Sequence, residues 1–206
     1  MIKLKNSQTK SFRSLRFEIW NYLKENKLTV GGINFGRIPK FKGALKASVM
    51  LKTTPEWESS QVIFSSPDSA QIKVREYALR DGKNLIMASP KLKSGYLHIN
   101  PEDASDYGQA ATIKGAFKIS QKIKKFLKVD LVVEGSVAVD LKGRRLGKGG
   151  GYADQEIEHL LKENAITEKT PIVTTVHEAQ IVEEIPLEPH DKKVNMIVTP
   201  ERIIRI

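Results

Sequence analysis

Apolar residues recur at spacings of three and four near the amino terminus, where Phe12, Leu15, Ile19, Tyr22 and Leu23 fall on one side. Such a stripe predicts an amphipathic helix over residues 10–27, with Ser11 near its start and Arg13 and Arg16 on a shared face. Gly31, Gly32, Gly36, Pro39 and Gly43 punctuate the next segment as a loop, and a short helix is expected through Leu51. Beyond that point the period changes. Residues 61–65, 84–88, 130–139, 171–176 and 195–199 are short apolar runs rich in Val and Ile, the pattern of strands buried on both faces. Helical patterns separate them. Residues 71–80 end before Gly82, 113–127 set Phe117, Ile119, Ile123 and Phe126 beside a lysine-rich face, and 154–162 open with an acid that suits a helix N-terminus. Alternation at these intervals predicts an α/β fold whose mainly parallel sheet is flanked by helices. Residues 89–112, broken by Pro90, Gly95, Pro101 and Gly108, read as a long excursion with a hairpin at 96–99. No repeat and no Gly/Ser-rich or Pro-rich linker divides the chain, so residues 1–206 are expected to form a single domain.

Composition narrows the chemistry. The chain has no cysteine, which excludes disulfides, cysteine zinc sites, thiol nucleophiles and iron–sulfur clusters. His98, His159, His177 and His190 never pair at a zinc-binding spacing, and Ser136 lacks the second glycine of a nucleophile elbow, so neither a zinc hydrolase nor a serine hydrolase is supported. No apolar run approaches the roughly 18–20 residues needed to cross a bilayer, and the first ten residues carry no hydrophobic leader; the expectation is a cytoplasmic protein with no membrane partner. The net charge of +10 lies at the front: residues 1–52 hold twelve Lys or Arg against Glu18 and Glu25. This basic segment suits an anionic partner, whether nucleotide, polyglutamylated cofactor, nucleic acid or lipid, with a solvated lysine-rich surface as the plain alternative. Trp20, Trp57 and the phenylalanines form no consecutive stacking platform for single-stranded RNA.

The most informative segment is Gly143-Arg144-Arg145-Leu146-Gly147-Lys148-Gly149-Gly150-Gly151-Tyr152-Ala153-Asp154, between an expected strand and an expected helix. Glycines let backbone N–H groups turn inward, a helix N-terminus adds a positive dipole, and Arg145 and Lys148 bring full charges for phosphate oxygens. The spacing is not that of a P-loop, since three residues rather than four separate Gly143 from Gly147-Lys148 and no Ser or Thr follows the lysine. A flexible glycine turn is the competing reading. Asp154 at the end of this loop and Asp191 before the last core strand both fall toward the carboxyl edge of a parallel sheet, where together they can hold Mg²⁺ with phosphate oxygens; an N-cap and a turn residue are the simpler roles.

Val129-Asp130-Leu131-Val132-Val133, the loop from Arg145 to Asp154, and His190-Asp191 followed by Val194 and Ile197-Val198-Thr199 resemble the 5-formyltetrahydrofolate cyclo-ligase (methenyltetrahydrofolate synthetase) family. Arg37-Ile38-Pro39, Phe41-Lys42-Gly43-Ala44, Pro67-Asp68-Ser69, Gly135-Ser136-Val137-Ala138-Val139, Thr174-Thr175-Val176-His177 and Val198-Thr199-Pro200 look like its methenyltetrahydrofolate-synthetase-domain-containing branch. The resemblance runs from about residue 16 to 200 and implies a NagB/RpiA/CoA-transferase-like fold. It also implies ATP- and Mg²⁺-dependent conversion of 5-formyltetrahydrofolate to 5,10-methenyltetrahydrofolate: ATP phosphorylates the formyl oxygen, N10 attacks the activated carbon, and phosphate leaves. By the same resemblance Arg145 and Lys148 act on the phosphoryl group. Arg145, Gly147, Lys148, Gly149, Gly150, Gly151 and Tyr152 form the nucleotide loop, Arg16 completes the phosphate site, and Asp154 and Asp191 hold magnesium. Three positions depart. Phe12 stands where the family has lysine, leaving Arg13 or Lys10 to compensate; Ala153 replaces a second tyrosine; and Gln71 aligns with the glutamate that, with Tyr152, meets the pterin. An amide there is expected to lower affinity for the folate. The alternative is a non-catalytic or RNA-associated module that uses the basic front.

Overall fold

The computed structural model describes residues 11–32, 35–123, 125–186, 188 and 191–206. Helices α1 (Phe12–Glu25), α2 (Ala44–Lys52) and α3 (Pro55–Ser59) precede β1 (Val62–Ser65), α4 (Ile72–Arg80), β2 (Asn84–Ala88) and β3 (Tyr96–Ile99). Next come α5 (Tyr107–Ala110), α6 (Ile113–Ile119), β4 (Gln121–Lys122), β5 (Leu131–Glu134), β6 (Ala138–Asp140) and β7 (Arg145–Leu146). The chain closes with α7 (Tyr152–Lys162), β8 (Ile172–Thr175), β9 (Ile181–Val182), β10 (Met196–Val198) and β11 (Ile203–Arg205).

Eight strands form one sheet in the order β11-β10-β8-β5-β1-β2-β3-β4, and β7-β6-β9 form a second. The five strands from β10 to β2 are mutually parallel, with antiparallel strands only at the edges. Each central strand is buried on both sides, as its apolar run predicts. Ile63, Leu131 and Val133 pack with Leu51 of α2 and Val74 and Ala78 of α4, while Val62, Phe64 and Val132 pack with Ile157 and Leu160 of α7 on the opposite face. Helix α1 seats Leu15, Ile19 and Leu23 on Val137, Ala138 and Leu146, which ties it to the smaller sheet. The chain winds from β1 to β2 in one direction and resumes at β5 on the other side of β1. The carboxyl ends of β1 and β5 therefore flank a switch point, the place in an open α/β sheet where a crevice forms.

The structure corrects several boundaries. The helix expected over 113–127 stops at Ile119, because Ser120 turns extended (ψ 150°) and Gln121 and Lys122 pair with the exposed edge of β3. The run 130–139 is two strands rather than one. Strand β5 ends at Glu134, and Gly135-Ser136-Val137 carries the chain into the smaller sheet, held by Gln180 Nε2 donating to the carbonyls of Ser136 and Val137 at 2.9 and 3.1 Å. Gly135 is needed at that crossing, since a Cβ there would lie 2.9 Å from Asp68 Oδ2 and 3.1 Å from Ile38. Helix α1 starts behind Ser11, whose hydroxyl caps Ser14 N–H, whereas Lys10 lies outside the described residues. The hairpin at 96–99 forms as β3 pairs with β2, but α3, α5 and β11 go unpredicted. No described helix is long and apolar enough to cross a membrane.

Candidate active site

At the switch point a cleft of about 660 Å³ opens between the exits of β1 and β5, the glycine loop and the first turns of α7. Helix α7 begins behind Gly151, its N-cap in the left-handed region (φ 64°), with no side chain capping it among the described residues. The N–H groups of its first turn therefore have no acceptor among the described residues, which is the condition for holding an anion at the cleft they border. Asp154 is a first-turn residue and not the cap. Gly149 (φ 103°) also adopts a conformation that L side chains avoid, so the loop's curvature depends on its glycines.

Cations converge on this loop from three elements. Arg16 of α1 donates from Nε to the Gly147 carbonyl at 2.7 Å and lies beside Gly149. Lys148 Nζ pairs with Asp68 Oδ1 at 2.9 Å, which joins the glycine loop to the exit of β1. Arg145, almost wholly buried, places Nη2 2.6 Å from Asp154 Oδ1 but out of hydrogen-bond alignment, and its Nε has no partner among the described residues. A buried guanidinium with unspent donors at the mouth of an anion cradle suits phosphate oxygens. Arg75, fully buried and lowered to about 10 by that burial, donates to the carbonyls of Ser66, Asp68 and Ala111 and so fixes the β1 exit.

The expected site residues distribute unevenly. Arg16, Arg145, Gly147, Lys148, Gly149, Gly150, Gly151, Tyr152, Asp154 and Asp191 all line the cleft, with Phe12 at its edge. Arg13 does not line it; that side chain is exposed, 6.0 Å over the Phe17 ring. Gln71 does not line it either. It is fully buried with Nε2 donating to Thr175 Oγ1 at 3.1 Å, because the turn leading into α4 directs it under the sheet rather than into the crevice. Asp154 Oδ1 accepts from the Lys192 N–H at 2.9 Å, and Asp191 Oδ2 accepts from the Glu188 N–H at 2.8 Å. His190 lies outside the described residues, and among the described residues no group of three His, Asp or Glu side chains forms a metal cage.

Two acids that sequence reasoning passes over sit at the floor of the cleft. Glu134, the last residue of β5, and Glu156, in the second turn of α7, are 1% and 4% exposed. Burial and the neighbouring Glu156 raise the Glu134 carboxyl well above the ordinary range, and burial with Asp68 nearby pushes Glu156 up to about 8. A signal was present in each case: Glu134 closes the apolar run Leu131-Val132-Val133, and Glu156 shares a helical face with Leu160.

The sequence model of the 5-formyltetrahydrofolate cyclo-ligase family matches residues 8–200. The chain belongs to that family. Among similar cyclo-ligase relatives, the methenyltetrahydrofolate synthase domain-containing protein of Bos taurus is 36% identical over 207 residues, covering 94% of this chain and 53% of the bovine protein. The Homo sapiens protein of the same name is 35% identical over 208 residues, with coverage of 94% and 53%. The chain thus spans about half the length of these animal relatives. The fold is shared with solved structures of methenyltetrahydrofolate synthetases. The Aquifex aeolicus enzyme superposes with TM-score 0.59 at 24% identity, covering 93% of this chain and 92% of that one, and the Mycoplasma pneumoniae enzyme with 0.55 at 13%, covering 92% and 98%.

Proposed function

We propose that this cyclo-ligase family member is an ATP-dependent ligase that closes 5-formyltetrahydrofolate, or a close relative of it, to the 5,10-methenyl form. The observation that carries the reading is the uncapped start of α7, which joins the glycine loop, Arg145 and Lys148 in one cleft at the switch point. A cleft of about 660 Å³ falls within the range of small-molecule sites. In the reaction the formyl oxygen takes the γ-phosphoryl group of ATP and ADP is released, N10 attacks the activated carbon and loses its proton, and phosphate departs. The protein's part is alignment of the two reactants and neutralisation of charge on the transferring group. The N–H groups of α7 and the glycine loop orient the phosphates, Lys148 and Arg145 offset their charge, and Arg16 holds the loop through Gly147. Asp154 and Asp191 fit magnesium in the sparse way such sites use, one or two carboxylates completed by phosphate and water, and the ion would supply further charge neutralisation. The test is to incubate the chain with 5-formyltetrahydrofolate and MgATP and follow methenyltetrahydrofolate absorbance. Product formation strictly dependent on ATP is expected; no product, together with no heat of binding for millimolar MgATP, overturns the proposal.

A further inference from the structure

We infer that Glu134, Glu156 and the Ser66 hydroxyl form a subsite at the floor of the cleft that takes the N–H donor edge of a nitrogen heterocycle. The inference rests on the cyclo-ligase reading above and deepens it, by assigning the residues that meet the ring of the folate-like substrate. The two carboxyls come from different elements, the end of β5 and the second turn of α7, and both border the cleft. The two carboxyls lie within hydrogen-bond reach of one another, and outside that pair Glu134 Oε1 and Glu156 Oε2 have no hydrogen-bond partner among the described residues, although both side chains are more than nine-tenths buried. Lys148 pairs with Asp68 and Arg75 with three carbonyls, while Arg145 lies 2.6 Å from Asp154 and its charge also acts on both acids without hydrogen-bonding to either.

Ser66 supplies an observation independent of the acids. Its Oγ, at the exit of β1 across the switch point, is buried at 2% exposure, borders the same cleft and has no partner among the described residues. Buried polar atoms left unpaired are costly, and a set of them around one opening marks where a ligand's polar atoms go. The chemistry of the set selects the ligand. Carboxyl oxygens accept, so they match a planar ring that presents a ring N–H beside an exocyclic amino group. The cleft is thereby polarised. Phosphates are drawn to the glycine loop and the donor edge of the heterocycle to the acidic floor, which sets the direction in which the two reactants lie. Gln71, bound to Thr175 under the sheet, takes no part.

The experiment measures the equilibrium affinity of the full chain for 5-formyltetrahydrofolate and for an analogue lacking the exocyclic amino group, in wild type, Glu134→Gln, Glu156→Gln and Ser66→Ala. The ligand's donors favour the ionised form of one carboxyl, and loss of the charge-assisted hydrogen bond so formed is expected to weaken the parent ligand by about ten- to a hundredfold in the glutamine variants. The analogue should bind wild type about tenfold more weakly than the parent, and that discrimination should shrink in Glu134→Gln or Glu156→Gln. Should the glutamine variants fail to fold, wild type and Ser66→Ala still decide: a wild type that binds parent and analogue equally overturns the inference. Wild-type binding that none of the three substitutions alters also overturns it while leaving the cyclo-ligase reading standing. A wild type that binds no folate at all overturns both.

Discussion

Replacing Gln71 by Glu would restore the acid that the cyclo-ligase resemblance leads one to seek at this position, yet the structure predicts damage rather than gain. The side chain is fully buried, its Nε2 donates to Thr175 Oγ1 at 3.1 Å, and its Oε1 has no partner among the described residues. A carboxylate there finds no hydrogen-bonded cation among the described residues, since the fully buried Arg75 is taken by three carbonyls, and it must be protonated for the protein to fold. Holding a carboxyl with an ordinary value near 4.3 in its neutral form at pH 7 costs roughly 3–4 kcal/mol. The protonated acid can still donate to Thr175, so loss of the hydrogen bond adds at most about 1 kcal/mol. For a chain of this length the total corresponds to a fall in melting temperature of about 6–20 °C. The sign with pH is that of a raised acid: the destabilisation is absent below the unfolded value and grows as pH rises above it. Thermal unfolding of wild type and Gln71→Glu at pH 4 and pH 7 reads this directly, with near-coincidence expected at pH 4 and a wide gap at pH 7. Equal melting temperatures at pH 7, or a tighter complex of the variant with 5-formyltetrahydrofolate, would refute the reasoning and return Gln71 to the cleft.

The other expectations concern the same framework. Glu156, pushed up to about 8 by burial first and Asp68 second, contributes stability that is complete below the unfolded value near 4.5 and is lost as pH climbs through 8, so Glu156→Gln should gain on wild type progressively between pH 5 and 9 in urea unfolding. A difference that does not change with pH would contradict the burial of that carboxyl. Gly43→Ala should destabilise by several kcal/mol, because the backbone there is left-handed (φ 90°) and the added Cβ would lie 2.6 Å from Pro200 Cγ; a wild-type melting temperature would show that the amino-terminal segment does not pack on the 199–200 turn as described. Asp154→Asn should weaken MgATP binding more than metal-free ATP binding in calorimetry, since it removes charge and keeps shape, and equal losses would assign Asp154 to the Arg145 and Lys192 contacts alone. Neutralising the exposed Lys40, Lys42 and Lys46 together should lower the logarithmic salt slope of any RNA binding, and tight sequence-dependent RNA binding at physiological salt would favour the RNA-associated reading over the ligase.

Local pattern alone determined the central parallel strands. A short Val- and Ile-rich run buried on both faces has few other places to go, and glycines between a strand and a helix announce a tight, N–H-rich turn before any contact is known. The gathering of Arg145, Lys148 and the loop from Gly147 to Tyr152 along one cleft was legible for that reason, and family membership was legible from the motifs that resemble the cyclo-ligases. Where several residues compete for long-range partners, local pattern misled. The apolar run at 130–139 carries nothing that says β5 ends at Glu134, because the break comes from the approach of Asp68 and Ile38 to Gly135 and from Gln180 drawing the next residues into another sheet. Helix α6 ends early because the edge of β3 offers Gln121 and Lys122 backbone partners that the helix cannot match. Gln71 lies on a single 3₁₀ turn, which has no periodicity from which to read a facing direction, so only the packing of that turn under the sheet turned it away from the cleft. Glu134 and Glu156 are ordinary acids in sequence. They become a buried pair because the fold closes α7 over the end of β5, and the low dielectric there changes what each carboxyl can do.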